Sequence, residues 1–106
     1  CDQIGTPTAA ADLAAAIVAI LPQLRDGMKE IYHFTNEGVC SWYDFACAIM
    51  ELSGLPCHVN PIPTSAYPTR ATRPAYSVLS KDKIKQDFNI TISHWREALK
   101  TCLKQF

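Results

Sequence analysis

Two guanidiniums, two phenols and a run of hydroxyls fall on one proline-stiffened segment, Pro63-Thr-Ser-Ala-Tyr67-Pro-Thr-Arg70-Ala-Thr-Arg73-Pro-Ala-Tyr76-Ser77-Val-Leu-Ser80. Arginine forks bind phosphate oxygens two at a time, and phenols stack on rings or hydrogen-bond to them. Prolines lower the entropy lost when a loop orders around a ligand. The set suits an anionic, polyhydroxylated ligand, although by composition alone the reading of Arg70 and Arg73 as solvated surface charges weighs more. Tyr43 lies off the apolar stripe of its helix and could reach a ligand. Trp42 begins that stripe and is expected in the core, as are Trp95 and Phe106. His33 and His94 are isolated and read as structural or exposed.

Spacing argues against several other chemistries. The glycines are Gly5, Gly27, Gly38 and Gly54, too scattered for a phosphate loop of the dinucleotide or P-loop type. Tyr32, Tyr43, Tyr67 and Tyr76 lead four residues on to Asn36, Cys47, Ala71 and Ser80. No phenol therefore has a lysine one helical turn away, where an ammonium would lower its pKa. No G-x-S-x-G elbow and no H-E-x-x-H pair occurs. Cys57 and His58 are adjacent and would point to opposite faces of a strand, and Cys40 and Cys47 stand seven apart. No paired-ligand spacing recurs, so no metal site is expected. A Cys–His nucleophile pair would lack an orienting group.

Length and charge bound the rest. A chain of 106 residues, 48% hydrophobic and 19% charged, makes a single globular domain with a modest core, without a membrane span. Ten bases cancel ten acids, which argues against a nucleic-acid surface or attraction to acidic membranes. The cancellation is uneven. Residues 1–69 hold two bases against seven acids, a balance of −5, and residues 70–106 hold eight bases against three acids, a balance of +5. The second half can therefore support a local anion site. Five cysteines, an odd number without a C-x-x-C pair or a secretory leader, read as reduced thiols of a cytoplasmic protein. The opening residues read as interior sequence, so the chain is expected to be a fragment.

Periodicity places these groups on an α/β chain of about four helices and three short strands. A helix is predicted over residues 8–21, with Thr8 as N-cap and Leu13, Ala14, Ile17, Ile20 and Leu21 on one face. Pro22 ends it. A strand over 31–34 follows, then a helix opened by the capping-box pattern Ser41-x-x-Asp44 and stopped at Gly54. Extended runs are predicted over 57–62 and 76–79, on either side of the irregular loop. Ser80 and Ser93 are the expected caps of two final helices. Three short strands make an incomplete sheet, so at least one is expected to pair outside this chain.

Four segments, in order, are similar to the dTDP-4-dehydrorhamnose reductases. They are Asp2-Gln-Ile-Gly-Thr-Pro-Thr8 ahead of Asp12-Leu-Ala14; Ile31-Tyr-His-Phe34 with Gly38 and Ser41-Trp-Tyr-Asp-Phe-Ala46; Pro63-Thr-Ser-Ala-Tyr67-Pro-Thr69; and Arg73-Pro74 with Ser77, Leu79 and Lys83. Trp95-Arg-Glu-Ala-Leu99 resembles the family's last helix. The resemblance implies an extended short-chain dehydrogenase/reductase, which transfers hydride from NAD(P)H to a dTDP-linked 4-keto sugar in the last step to dTDP-L-rhamnose. It implies that residues 1–106 form one C-terminal substrate-binding portion, inactive alone. The Rossmann half, with its glycine fingerprint and its Tyr-x-x-x-Lys, lies outside the chain. That half would be a partner, the 31–34 strand joining its sheet, and would bind the cofactor; a homo-oligomer is possible.

By the same resemblance Arg73 is the first choice for the diphosphate, with Arg70 beside it. Gln3, Thr8, Tyr67, Tyr76 and Tyr43 are further candidates to line the site. An arginine that many relatives carry ahead of the first helix is replaced around Gly5. Two other readings share the family's shape: a regulatory subunit like that of methionine adenosyltransferase, and a non-catalytic assembly domain.

Overall fold

The computed structural model describes residues 1–106. Its elements are β1 (Ile4–Gly5), α1 (Ala10–Ile20), β2 (Cys40–Ser41), α2 (Trp42–Ser53), α3 (Asp82–Phe88) and α4 (Trp95–Leu103), with 3₁₀ turns at Leu21–Gln23 and Thr64–Ala66. The α/β class and the four helices agree with the sequence reading; the strands differ. Residues 31–34 and 57–62 pair with nothing, and of 76–79 only Tyr76 forms a bridge, parallel to Ile4. A strand is completed by a neighbour that takes its amides and carbonyls. The Ile31 carbonyl instead accepts from Lys83 Nζ at 3.0 Å. The actual sheet is a two-residue antiparallel pair, Ile4 opposite Ser41 and Gly5 opposite Cys40, too short for alternation to reveal.

The helix ends show which local signals act. Ser41 caps α2 as the pattern predicts: its hydroxyl accepts from the Asp44 amide, and the Asp44 carboxylate accepts from the Ser41 amide. Gly54 closes α2 in the left-handed region at φ 66°. The other caps are corrections. Ala9, not Thr8, precedes α1 and has no side chain able to cap. Lys81 precedes α3 in place of Ser80. His94 precedes α4 in place of Ser93, its Nδ1 accepting from the Arg96 amide at 3.2 Å.

The core lies between α2 and α4, where Cys40, Ala48, Trp95 and Leu99 are buried and Phe45, Ile49, Leu52 and Leu103 pack around them. Two core expectations fail. Trp42 is exposed because it is the first residue of α2, at the end of the stripe, and Phe106 lies beyond α4 with 97% of its surface in water. Along α1 only Ala16 is buried, while Ile17, Val18 and Leu21 are exposed, as is Ile31 beyond the helix. Eleven of 106 residues are buried. The radius of gyration is 16.5 Å, against about 13 Å for a compact domain of this length. No helix is long and apolar enough to cross a membrane.

Asn36 supplies the cap that α1 lacks. It is fully buried. Its Oδ1 accepts from the Ala9 amide at 2.7 Å, and its Nδ2 donates to Asp12 Oδ2 at 2.6 Å and to the Ser93 carbonyl at 3.1 Å. Next to it, the Glu37 amide donates to the Ser93 carbonyl and the Glu37 carbonyl accepts from the Trp95 amide. Gly38 follows at φ 82°, where a Cβ would overlap the His94 imidazole. Asn36→Ala strands the half-buried Ala9 amide and Asp12 carboxylate, so it should cost about 2 kcal/mol, read as a lower urea midpoint. Combined with Asp12→Ala, the loss should be smaller than the sum of the two single losses, because both remove the same bond.

Candidate functional site

Ile4 is bonded on both sides. It faces Ser41 of β2 on one side; on the other, its amide donates to the Ala75 carbonyl and its carbonyl accepts from the Ser77 amide, both at 2.8 Å. This short ladder brings Ser41-Trp42 and Arg73-Pro74 to opposite flanks of the Gln3 to Pro7 segment. Between them lies a cavity of about 290 Å³ lined by Gln3, Gly5, Thr6, Trp42, Arg73 and Ser77, among others. A second cavity, of about 340 Å³, shares Gln3, Trp42 and Arg73 and adds Asp2, Thr64 and Tyr67. The two form one groove with Arg73 and Trp42 common to both parts.

The groove wall is held by a polar clamp at the start of the chain. Asp2 accepts from the Thr64 amide at 2.9 Å and from its hydroxyl at 2.6 Å, and Gln3 Nε2 donates to Thr64 Oγ1 at 3.0 Å. The bonds from Thr64 hold the Asp2 carboxyl below its ordinary value. Burial, helped by the Asp44 charge, pushes the Cys40 thiol in the groove floor up to about 11. It stays protonated at neutral pH and is a poor nucleophile.

Charge sharpens the choice between arginines and lysines. Lys81 and Lys85 pair with Glu37, Lys83 with Glu30, and Arg96 with Glu51. Half of the bases in residues 70–106 thus neutralise acids of the first half. Arg73 belongs to none of these pairs and faces the groove. Arg25 and Arg70 are also outside these pairs but line neither part of the groove, which makes Arg73 the unpaired guanidinium there.

Of the residues proposed from sequence, the fold brings Arg73, Gln3 and Tyr67 together at the groove. Arg70, Tyr76, Thr8 and Tyr43 line neither part of it. Tyr76 stands opposite Ile4 in the ladder, whose bonds its neighbours Ala75 and Ser77 make, while its ring stays exposed. The Tyr43 hydroxyl engages Cys47, which raises its pKa. Sequence reasoning missed Trp42, Thr6 and Ser77. For Trp42 the signal was present: the capping box makes it the first helical residue, where a side chain need not turn inward.

None of the four glycines opens a helix; Gly27 and Gly54 sit in open turns and Gly38 packs on His94. Each helix also carries an acid in its first turn, Asp12, Asp44, Asp82 or Glu97, which opposes a phosphate there.

Residues 1–106 match the family model described as RmlD substrate binding domain. The chain is 45% identical over 104 residues to the spore coat polysaccharide biosynthesis protein SpsK of Bacillus subtilis (strain 168), covering 98% of this chain and 35% of that protein. It is 45% identical over 109 residues to a dTDP-4-dehydrorhamnose reductase of Aggregatibacter actinomycetemcomitans, covering 93% and 37%. A crystal structure of dTDP-4-dehydrorhamnose reductase from Bacillus anthracis str. Ames in complex with NADP superposes with a TM-score of 0.89 at 30% identity, covering 99% of this chain and 36% of that one. The chain spans about a third of the length of the curated relatives it matches.

The Asp2 clamp gives the groove a pH dependence. A depressed folded-state pKa contributes stability that is complete above the ordinary value of 3.8 and is lost as pH falls through the lower one. Protection of the Thr64 amide against hydrogen exchange should therefore hold from neutral pH down to that value and decline below it. Asp2→Asn should show weaker protection with no such decline.

Proposed function

The chain belongs to the RmlD substrate binding domain family, and from that premise we propose that it holds the nucleotide-sugar for a dTDP-4-dehydrorhamnose reductase of which it is the C-terminal portion. The ligand is a dTDP-linked 4-keto sugar, dTDP-4-dehydro-L-rhamnose, and the product of the whole protein is dTDP-L-rhamnose. The observation that carries this reading is Arg73, an unpaired guanidinium at a groove whose lining also holds hydroxyls, the Gln3 amide, the Trp42 indole and the Asp2 carboxylate, the last already bonded to Thr64. A diphosphate placed there would receive two parallel N–H bonds from Arg73; Gln3 and Ser77 supply neutral donors, and Thr6 Oγ1, whose proton goes to the Gly38 carbonyl, offers an acceptor.

In this reading residues 1–106 bind and orient, and the reducing chemistry lies elsewhere in the whole protein, where NAD(P)H would also be held. The exposed apolar residues Ile17, Val18, Leu21 and Ile31 are the surface on which the remaining two-thirds of such a protein would pack, with 31–34 free to add to its sheet. The five free thiols agree with a cytoplasmic location.

Titration of the whole protein with dTDP tests the assignment. Arg73→Ala should weaken binding roughly ten- to a hundredfold, the range for losing a charged hydrogen-bond pair, while Arg70→Ala stays within about twofold, the exposed Arg70 lining neither cavity. Unchanged affinity in Arg73→Ala would remove the diphosphate from this groove.

A further inference from the structure

Arg73 sits near the end of a strap that the fold leaves with little support. Every residue from Ser65 to Ser77 is exposed, and residues 68–74 make no hydrogen bond between backbone groups. The strap is tied at its two ends, both times to the opening stretch of the chain. At the far end the Ala75 carbonyl and the Ser77 amide bond to Ile4 in the ladder. At the near end the tie is made by side chains. Both oxygens of the Asp2 carboxylate accept from the Thr64 amide, at 2.9 and 3.0 Å, and Oδ1 also accepts from the Thr64 hydroxyl at 2.6 Å. Gln3 Nε2 donates to the oxygen of that hydroxyl. Thr64 then opens the 3₁₀ turn, its carbonyl accepting from the Tyr67 amide at 3.1 Å.

A strap tied at both ends holds its arginine in a small volume; tied at one end, it lets the same group wander. Doubling the length of a free loop lowers the chance that its ends meet roughly threefold, and affinity falls with that chance. We propose that Asp2 is a positioning residue, which latches the strap through Thr64 and so fixes Arg73 at the groove. This rests on the function proposed above, in which Arg73 holds the diphosphate. The Asp2 carboxylate lines the same part of the groove as Arg73, where its charge by itself opposes an anion. Latch and charge therefore act with opposite signs, and this separates positioning from plain electrostatics.

Calorimetry on the whole protein, with dTDP and with inorganic pyrophosphate, tests the latch. Asp2→Ala should weaken both ligands about three- to tenfold, although it removes a negative charge. Asp2→Asn, which keeps one acceptor oxygen, should lose less. Thr64→Val removes the hydroxyl without touching charge and should weaken both ligands, and Thr64→Ser should recover most of that loss. In a double-mutant cycle read with dTDP, Asp2→Ala should cost less than about twofold once Arg73→Ala is present, since no guanidinium is left to position. A general support for the fold would cost the same in both backgrounds. Unchanged or tighter pyrophosphate binding in Asp2→Ala would overturn the latch, as would a loss undiminished by Arg73→Ala. If Arg73→Ala weakens both ligands and Asp2→Ala neither, the latch alone falls. If Arg73→Ala weakens neither, the diphosphate is not in this groove and the latch falls with its premise.

Discussion

The side-chain amide of Asn36 is the point on which the rest of the arrangement depends. It replaces a missing N-cap on α1, satisfies Asp12 and takes up the Ser93 carbonyl. One buried group thus joins three stretches that are distant in sequence. Its neighbours continue the junction, Glu37 by backbone bonds to residues 93–95 and Gly38 by accepting the Thr6 hydroxyl at 2.8 Å. Through Thr6 the junction reaches the groove, because that residue lines it beside Arg73. Buried polar groups are worth most when every valence is used, and here the amide is engaged at both ends.

Charge works in the same direction. The acidic first half and basic second half attract, and three glutamates, Glu30, Glu37 and Glu51, draw Lys81, Lys83, Lys85 and Arg96 onto the first half. The Glu37 carboxyl sits below its ordinary range, chiefly through its bond to Lys85 and further through Lys81. Lys81 is nearly buried, so this part of the network is less screened than a surface pair. Half of the bases behind the asymmetry that points in sequence to an anion site serve instead to hold the two halves together. The remainder in the groove is Arg73.

What could be read from the residues was local. The capping box at Ser41 and Asp44, the stop at Gly54 and the helical stripes of α2 and α4 each depend on neighbours within a turn or two, and each was legible. The cap on α1 was not, because its donor and acceptor are 27 residues apart. The β1–β2 pair was not either, since two residues carry no period. Residues 31–34 have strand composition without a partner among these 106 residues. The site was half legible for the same reason. Type and proline context single out Arg70 and Tyr76 as readily as Arg73 and Tyr67, yet the first two line neither part of the groove; only the resemblance puts Arg73 first. Trp42 was assigned inward because a stripe gives a face of the helix and says nothing of where along the axis the core ends.

The thin interior has a consequence for how such a polypeptide responds to its surroundings. Residues 1–106 bury only eleven of their own number, and the side chains of Ile17, Val18, Leu21 and Ile31 stay in water. Whatever covers that face takes apolar surface out of water and so adds directly to the order of this segment. A molecule that binds only the ordered form at a hundred times its dissociation constant would add about 2.7 kcal/mol more, so that packing and occupancy would act on one equilibrium.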